Sequence, residues 1–513
     1  MQANETALFS WRPHFRREWV ACWLTVWVSG FLAHGYRMAN FLLNGDGSRN
    51  LCSPGASLIE GRCFLDLAAA LRSRYSAPWL CGVVALFWLS LALTLLIELF
   101  SLRSLPLVVL ASAFLATCPT LTASFVYLYT ADCYMLAFLL VVAAVFLSRK
   151  YPPWGCVAGA VCICLSIGIY QAYVTVALSL IVMLAILELF QKQSSVRVLC
   201  VSFAKEVVMV LAGGLLYKLV LTLFLHFTNT ALIDYQGINK VGILSLWQYY
   251  LAVLKTLDKL LRAFGLESGP FASWNSALNF ILLLLLAAAT VLLLIQKRLY
   301  RRLPALLILL LLTGALFVVP FAVNFVSPAV QYHALMELGV WLLYFQLLVY
   351  LQEIHWAKPV LRSLGLTAVA ALVVLTYHNT VNANIAYYIM QFNYEKSYYV
   401  ASDVLSQLRR TEGFSVGSSK VAVIGYWPGH SSARMGTDPV LVGLSDDSFL
   451  DDQSLYLNFW DASFGIQVQG ASPEEISAIE QSPAYQAMPC YPESAAVQQI
   501  DGIYVVKLSE DAG

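Results

Sequence analysis

Long apolar stretches separated by short polar connections fill the first three quarters of this chain. A helix that crosses a bilayer needs about 20 mostly apolar residues. On that scale the pattern predicts about eleven spans, at 19–41, 78–99, 105–118, 131–148, 154–170, 172–190, 203–226, 275–295, 303–323, 332–352 and 362–380. The pair 154–170 and 172–190 is joined so tightly that it also reads as one bent hairpin. A different pattern occupies 244–264, where apolar residues at helical spacing stand with Lys255, Lys259 and Arg262. It predicts an amphipathic helix lying on the membrane surface. The first apolar run follows Arg12, Arg16 and Arg17 and is not succeeded by a small-residue cleavage site, so it reads as a retained signal anchor.

Lys and Arg then set the orientation. Arg103, Arg149, Lys150, Lys192, Arg197, Lys205, Lys297, Arg298, Arg301, Arg302, Lys358 and Arg362 fall in every second connection, on the side of the N-terminus. The opposite connections 119–130 and 324–331 contain none. The bias predicts a cytoplasmic N-terminus and, with an odd number of spans, an external C-terminal segment. Residues 395–513 hold six Lys+Arg against sixteen Asp+Glu. "EKSYYVASDVLSQLRR" has helical spacing, and "KVAVIGYW" and "IDGIYVVKL" read as buried strands. "SPEEISAIEQ" opens with a Ser-x-x-Glu capping box and Pro at the first helical position. The expected architecture is therefore mainly α, a polytopic membrane region (1–394) with a long first outer loop (42–77), followed by a small extracytoplasmic α/β domain (395–513). The run "DDSFLDDQS" in that domain reads as a solvated acidic loop or a cation site.

Composition agrees with the pattern: 59% of the 513 residues are hydrophobic, 12% are charged, and mean hydropathy is +0.70. Soluble domains average about 25% charged residues. A formal net charge of +1 leaves no basic surface of the kind nucleic-acid partners need. Most of the 11 cysteines lie in apolar runs. Cys52 and Cys63 share the first outer loop, either as two thiols or as a pair in an oxidising compartment. Neither a CxxC motif nor a Cys/His cluster points to a metal.

The few carboxylates ahead of residue 395 avoid span centres. Glu5, Glu18, Glu98, Glu188, Glu206 and Glu353 fall at cytoplasmic ends, and Asp46, Glu60, Asp66, Asp132, Asp234, Asp258, Glu267 and Glu337 at or near outer ends. Ion-coupled transporters place such groups near the midplane. Outer-face acids favour binding or chemistry there, with four segments available to build a site: the first loop, 118–136, 166–174 and 232–242.

The segments "GRCFLD", "SFVYLYTADCYMLAFLL", "SIGIYQAYV", "DYQGIN" and "MPCYPESAAVQQIDGIYVVKL", in this order, resemble the type II Gtr family of bacterial membrane glucosyltransferases, which is similar to GT-C glycosyltransferases. The resemblance spans about residues 30–508. It implies a multi-pass protein of the bacterial plasma membrane that moves a hexose, glucose first, from undecaprenyl phosphate to a surface glycan such as O-antigen or teichoic acid, on the outer face. A flippase and a glycosyltransferase that makes the donor would be its functional partners. It implies no obligatory metal, and a divalent cation is compatible with it.

Inverting transfer needs a carboxylate to take the acceptor's proton. Asp46 is the candidate, in "NGDGS", where the family's usual adjacent acids are reduced to one Asp; the same residues also favour a plain turn. Negative charge that grows on the leaving phosphate suits an arginine, Arg62 first and Arg49 second, with His333 beside Glu337 as a further phosphate contact. Glu60, Asp132, Tyr170, Gln171, Tyr173, Tyr235 and Gln236 are the candidates for sugar or acceptor contacts. For Asp132 the alternative is a helix N-terminal acid. For the tyrosines it is interfacial anchoring. Two other function classes stay open at this point, a transporter or flippase of lipid-linked sugars and a non-catalytic envelope assembly protein. No internal repeat supports the former.

Overall fold

Apolar helices wind up and down from one end of the molecule to the other, and the order of the elements follows the hydropathy pattern. The structure, a computed structural model, describes residues 16–510 apart from 56, 192–195, 235, 238–241, 243, 328 and 428–447. Helix α1 (Arg17–Ala39) leads to the opening loop, which contains the short helices α2 (Gly45–Arg49) and α3 (Leu65–Ala70). Then come α4 (Pro78–Leu99), α5 (Leu105–Thr117), α6 (Pro119–Val126), α7 (Leu128–Lys150), α8 (Trp154–Ile169), α9 (Val174–Gln191) and α10 (Val196–Thr228). The series continues with α11 (Leu246–Ala263), α12 (Trp274–Gln296), α13 (Leu303–Val318), α14 (Leu338–Glu353) and α15 (Pro359–Arg410).

Among the described residues, eight helical segments are long and apolar enough to cross a membrane, and α8 and α14 are shorter apolar helices. Together with α1 they occupy the eleven positions read from the sequence. Two differences have physical causes. The expected loop 119–130 is helical: Pro119 forces Cys118 into an extended conformation (ψ 156°), so the chain bends there and resumes as α6. The expected span 362–380 is part of a 52-residue helix, α15, which passes through residue 395 without a break and ends at Arg410.

Helices α9 and α14 form the interior. They are apolar all round, as buried helices are. The most apolar stretch of α9 is 83% buried, against 22% for α10 at the periphery, where Leu211, Leu215 and Leu219 stand exposed. Glycines let neighbouring helices touch: a Cβ on Gly155 would lie 1.9 Å from the Leu147 carbonyl oxygen, and one on Gly213 2.7 Å from that of Ala160. At the basic end Arg149 ties α7 to α9 and α10 through Glu188 (2.8 Å) and Glu206 (2.6 Å). Helix α11 begins with a Ser245/Gln248 capping box and exposes Leu246, Trp247, Tyr250, Leu254, Leu257 and Leu261, the apolar side of the amphipathic pattern.

At the opposite end sits a four-stranded sheet, in the order β2–β1–β4–β3, built from β1 (Lys420–Ile424), β2 (Gln469–Gly470), β3 (Val497–Ile500) and β4 (Ile503–Lys507). β1 runs parallel to β2 and β4, while β3 and β4 form an antiparallel hairpin. The hairpin turns at Asp501 and Gly502, both with positive φ, so "IDGIYVVKL" is a turn and a strand rather than one strand. Helix α16 (Gln453–Phe464) and the capped helix α17 (Pro473–Glu480) flank the sheet. The end of α15 packs into the same apolar core through Val400, Val404 and Leu408. Leu43 of the opening loop is buried in that core too.

Candidate active site

The opening loop folds back over the helix bundle and is held there by backbone and side-chain bonds from three directions. The Phe64 amide donates to the Gly168 carbonyl (2.8 Å), and Ile233 donates to the Ile59 carbonyl (3.0 Å). Gln171 Nε2 donates to the Glu60 carbonyl (2.9 Å), and the Tyr217 hydroxyl to that of Gly61 (2.8 Å). Gly61 turns at φ +75°, a conformation costly for any residue with a Cβ. The result places Glu60 and Arg62 on the wall of a cavity of about 370 Å³ at the end of the bundle that carries the sheet.

Asp46, in the first turn of α2, stands exposed at the edge of this cavity, while Asn44 caps that turn by accepting from the Gly47 amide (2.7 Å). Gln171, Gln236, His333 and the tyrosines 127, 129, 134, 170 and 217 add further polar groups to its lining. Ile167, Val174, Val323, Val326, Val330 and Leu335 make the rest apolar. The lining thus offers polar groups to a charged, hydroxylated moiety and apolar ones to a hydrocarbon. Arg62 lies 3.4 Å from a Glu60 carboxylate oxygen and 3.4 Å from the Tyr134 hydroxyl, and its guanidinium sits 5.7 Å from the Tyr170 ring centre. Tyr134 and Tyr170 stack at 4.1 Å. Burial pushes the Glu60 carboxyl above its ordinary range; Arg62 opposes that rise and Asp46 adds to it.

Of the residues anticipated from the sequence, Asp46, Glu60, Arg62, Tyr170, Gln171, Gln236 and His333 meet at this one cavity. Three others lie elsewhere. Arg49 points to the start of α16, where it binds Asp452 (2.5 Å) and Ser454 (3.0 Å). Asp132 is not at a helix start but in the second turn of α7, 3% exposed, where it accepts from Arg72 Nε (2.8 Å). Tyr173 is fully buried behind Tyr134 and Tyr170. Tyr235 lies outside the described residues. In "DDSFLDDQS", Asp452 caps α16, and residues 446 and 447 are outside the described residues. Cys52 and Cys63 are free thiols. Among the described residues no group of three or more His, Cys, Asp or Glu side chains is placed to hold a metal ion.

Arg72, Tyr127, Tyr129, Tyr134 and Tyr217 were not anticipated. Arg72 is 5% exposed and binds the carbonyls of Tyr75 (2.6 Å) and Tyr129 as well as Asp132, so it fixes the start of α7 and with it the tyrosine wall. Its signal was present: "RSR" at 72–74 puts two cations in a loop that should hold few, and each has an acid partner, Asp132 for Arg72 and Asp66 for Arg74.

A helical membrane protein whose cavity brings acid, arginine and stacked tyrosines together with apolar side chains has the makings of an enzyme for lipid-linked, hydroxylated substrates. Residues 35–393 match the family model for glucosyl transferase GtrII, and the chain belongs to that family. The match ends inside α15, so the C-terminal sheet lies beyond it. Neither a curated protein nor a solved structure matches the chain.

Proposed function

We propose that this glucosyltransferase moves glucose from undecaprenyl phosphate to a surface glycan at the outer face of the bacterial plasma membrane, by a GT-C-like, inverting reaction. The N-terminus is cytoplasmic in this reading and the C-terminal domain external. The observation that carries it is the meeting of Asp46 and Arg62, an acid and a phosphate-type cation from one loop, at a cavity whose lining also includes apolar residues.

In the reaction the acceptor hydroxyl oxygen bonds to the anomeric carbon while its proton passes to the Asp46 carboxylate. The bond from that carbon to the phosphate oxygen breaks with its electron pair, and polyprenyl phosphate leaves. Arg62, with His333 across the cavity, stabilises the charge that grows on that oxygen. Tyr170, stacked on Tyr134, faces the sugar ring, and Glu60, Gln171 and Gln236 bind hydroxyls and shape the pocket. Val323, Val326 and Val330 take the first isoprene units. The exposed position of Asp46 suits an acid that must meet an acceptor arriving from water.

The test uses purified protein in lipid with undecaprenyl-phosphoglucose and compares wild type with Asp46→Asn. Turnover by wild type and a fall of roughly 10²–10⁴ in the variant, with donor binding kept, is the expected result. A variant as active as wild type removes Asp46 from the chemistry and leaves Glu60 as the next acid in the cavity.

A further inference from the structure

A second cavity, of about 600 Å³, opens between the first turns of α12, the middle of α15 and the junction of α5 with α6. Its chemistry differs from that of the first. Asn275, Asn279, Asn379 and Asn382 line it, with Trp274, Trp341, Glu267 and His378, and among the described residues no Lys or Arg does. Three polar atoms on three helices are buried there without a hydrogen-bond partner among the described residues: Asn275 Oδ1, Trp341 Nε1 and Asn379 Nδ2. Asn379 is 5% exposed and Trp341 2%. Asn279, by contrast, is satisfied, donating to the Phe264 carbonyl (3.0 Å) and accepting from Tyr344 (2.9 Å). Buried polar atoms are rarely left unpaired, and a cluster of them around one cavity points to a ligand that pairs with them.

We infer that this cavity binds an uncharged saccharide, the acceptor glycan in the reaction proposed above. Amide groups that both donate and accept, set beside indole rings, match hydroxyl-rich, neutral rings. The lack of Lys or Arg sets the cavity apart from a phosphate site. Helix α6 is the partition between the two cavities. Pro119 and Thr122 face the second, Tyr127 at its far end lines the first, and Thr120 donates to the carbonyl of Ala334 (2.7 Å), next to His333. A glycan seated in the second cavity therefore lies one short helix away from the donor pocket. Only the word acceptor rests on the transferase reading; the binding itself does not.

The experiment measures binding of neutral trisaccharides of glucose, rhamnose and N-acetylglucosamine to the full chain in lipid nanodiscs, by saturation-transfer NMR. Wild type, Asn379→Leu, Trp341→Phe and Arg62→Ala are compared, with thermal melting as the folding control. Asn379→Leu removes an unpaired amide from a buried site, so it should melt at or above the wild-type temperature. Binding of at least one trisaccharide is expected, weakened roughly tenfold by Asn379→Leu and by Trp341→Phe, the loss of one hydrogen bond to a hydroxyl. Arg62→Ala and added glucose 1-phosphate should leave it unchanged. The inference is overturned if no trisaccharide binds, if both cavity variants bind like wild type, or if glucose 1-phosphate or Arg62→Ala abolishes binding. Intact binding without any donor turnover would overturn the transferase reading and leave this site standing.

Discussion

Replacing Asp132 by asparagine keeps the shape of the side chain and removes its charge. In the folded protein Asp132 and Arg72 are 3% and 2% exposed at the side chain and 2.8 Å apart. Two unit charges about 4 Å apart attract by about 4 kcal/mol at an effective dielectric constant of about 20. Removing one partner of such a pair costs ~3–5 kcal/mol, because the other charge stays buried without compensation. Arg72 keeps its bonds to the carbonyls of Tyr75 and Tyr129, which places the expected loss at the lower end, about 3 kcal/mol. The assay is a denaturant melt of the purified protein in mixed micelles, with Asp132→Asn, Arg72→Met and the double variant Asp132→Leu/Arg72→Met measured together. The double variant should recover much of the loss, since a well-packed apolar pair often replaces a buried ion pair without penalty. Asp132→Asn with wild-type stability and no turnover would refute the reasoning and return Asp132 to the chemistry.

Arg49→Ala breaks a half-exposed pair, so melting should move by less than ~1 kcal/mol, whereas Asp452→Ala also removes the cap of α16 and should cost roughly 1 kcal/mol more. Turnover should fall more than stability does, because the pair ties the helix bearing Asp46 to α16; equal kcat in both variants and wild type would count against that tie. Glu60 has a carboxyl raised by burial, so the folded state holds its proton to higher pH than the unfolded chain. Its contribution to stability is therefore greatest below the ordinary carboxylate range and declines as pH rises through the raised value. Subtracting the pH-stability curve of Glu60→Gln from that of wild type should show this decline, and a flat difference would be the contrary result. Gly155→Leu puts a side chain where even a Cβ lies 1.9 Å from the Leu147 carbonyl oxygen, so α8 must move off α7. Loss of folded protein on size-exclusion chromatography is expected, and a folded, active variant would show that the helices pack otherwise.

The helical order and the small C-terminal sheet were legible in the sequence because both are local signals. Hydropathy over about 20 residues marks a helix that lipid can surround, whatever it packs against. The Ser472/Glu475 capping box and Pro473 specify a helix start within four residues, and the structure has it. Pro119 carried the bend between α5 and α6 in the same way, although the stretch after it was read as a loop. The loop residues that share the first cavity were also within reach, since Glu60 and Arg62 are separated only by Gly61 and scarce charges at one end of a membrane protein draw attention. What sequence could not supply was partnership. Arg49 and Arg62 sit in the same loop with the same charge, yet one meets Asp452, more than 400 residues on, and the other the wall of the cavity. Asp46 and Asp132 are both acids expected at one face, yet only Asp132 has a buried arginine against it. Asn379 and Asn382 of "HNTVNAN" look like any polar turn of helix until α12 and α14 bring Asn275 and Trp341 to the same cavity. Spans, caps and the acidic tail follow from chemistry within a few residues of each position, and the chain alone determined them. Which charges are neutralised, which stay open to a substrate, and which polar atoms wait for one depend on side chains brought together from distant segments, and only the tertiary structure decided that.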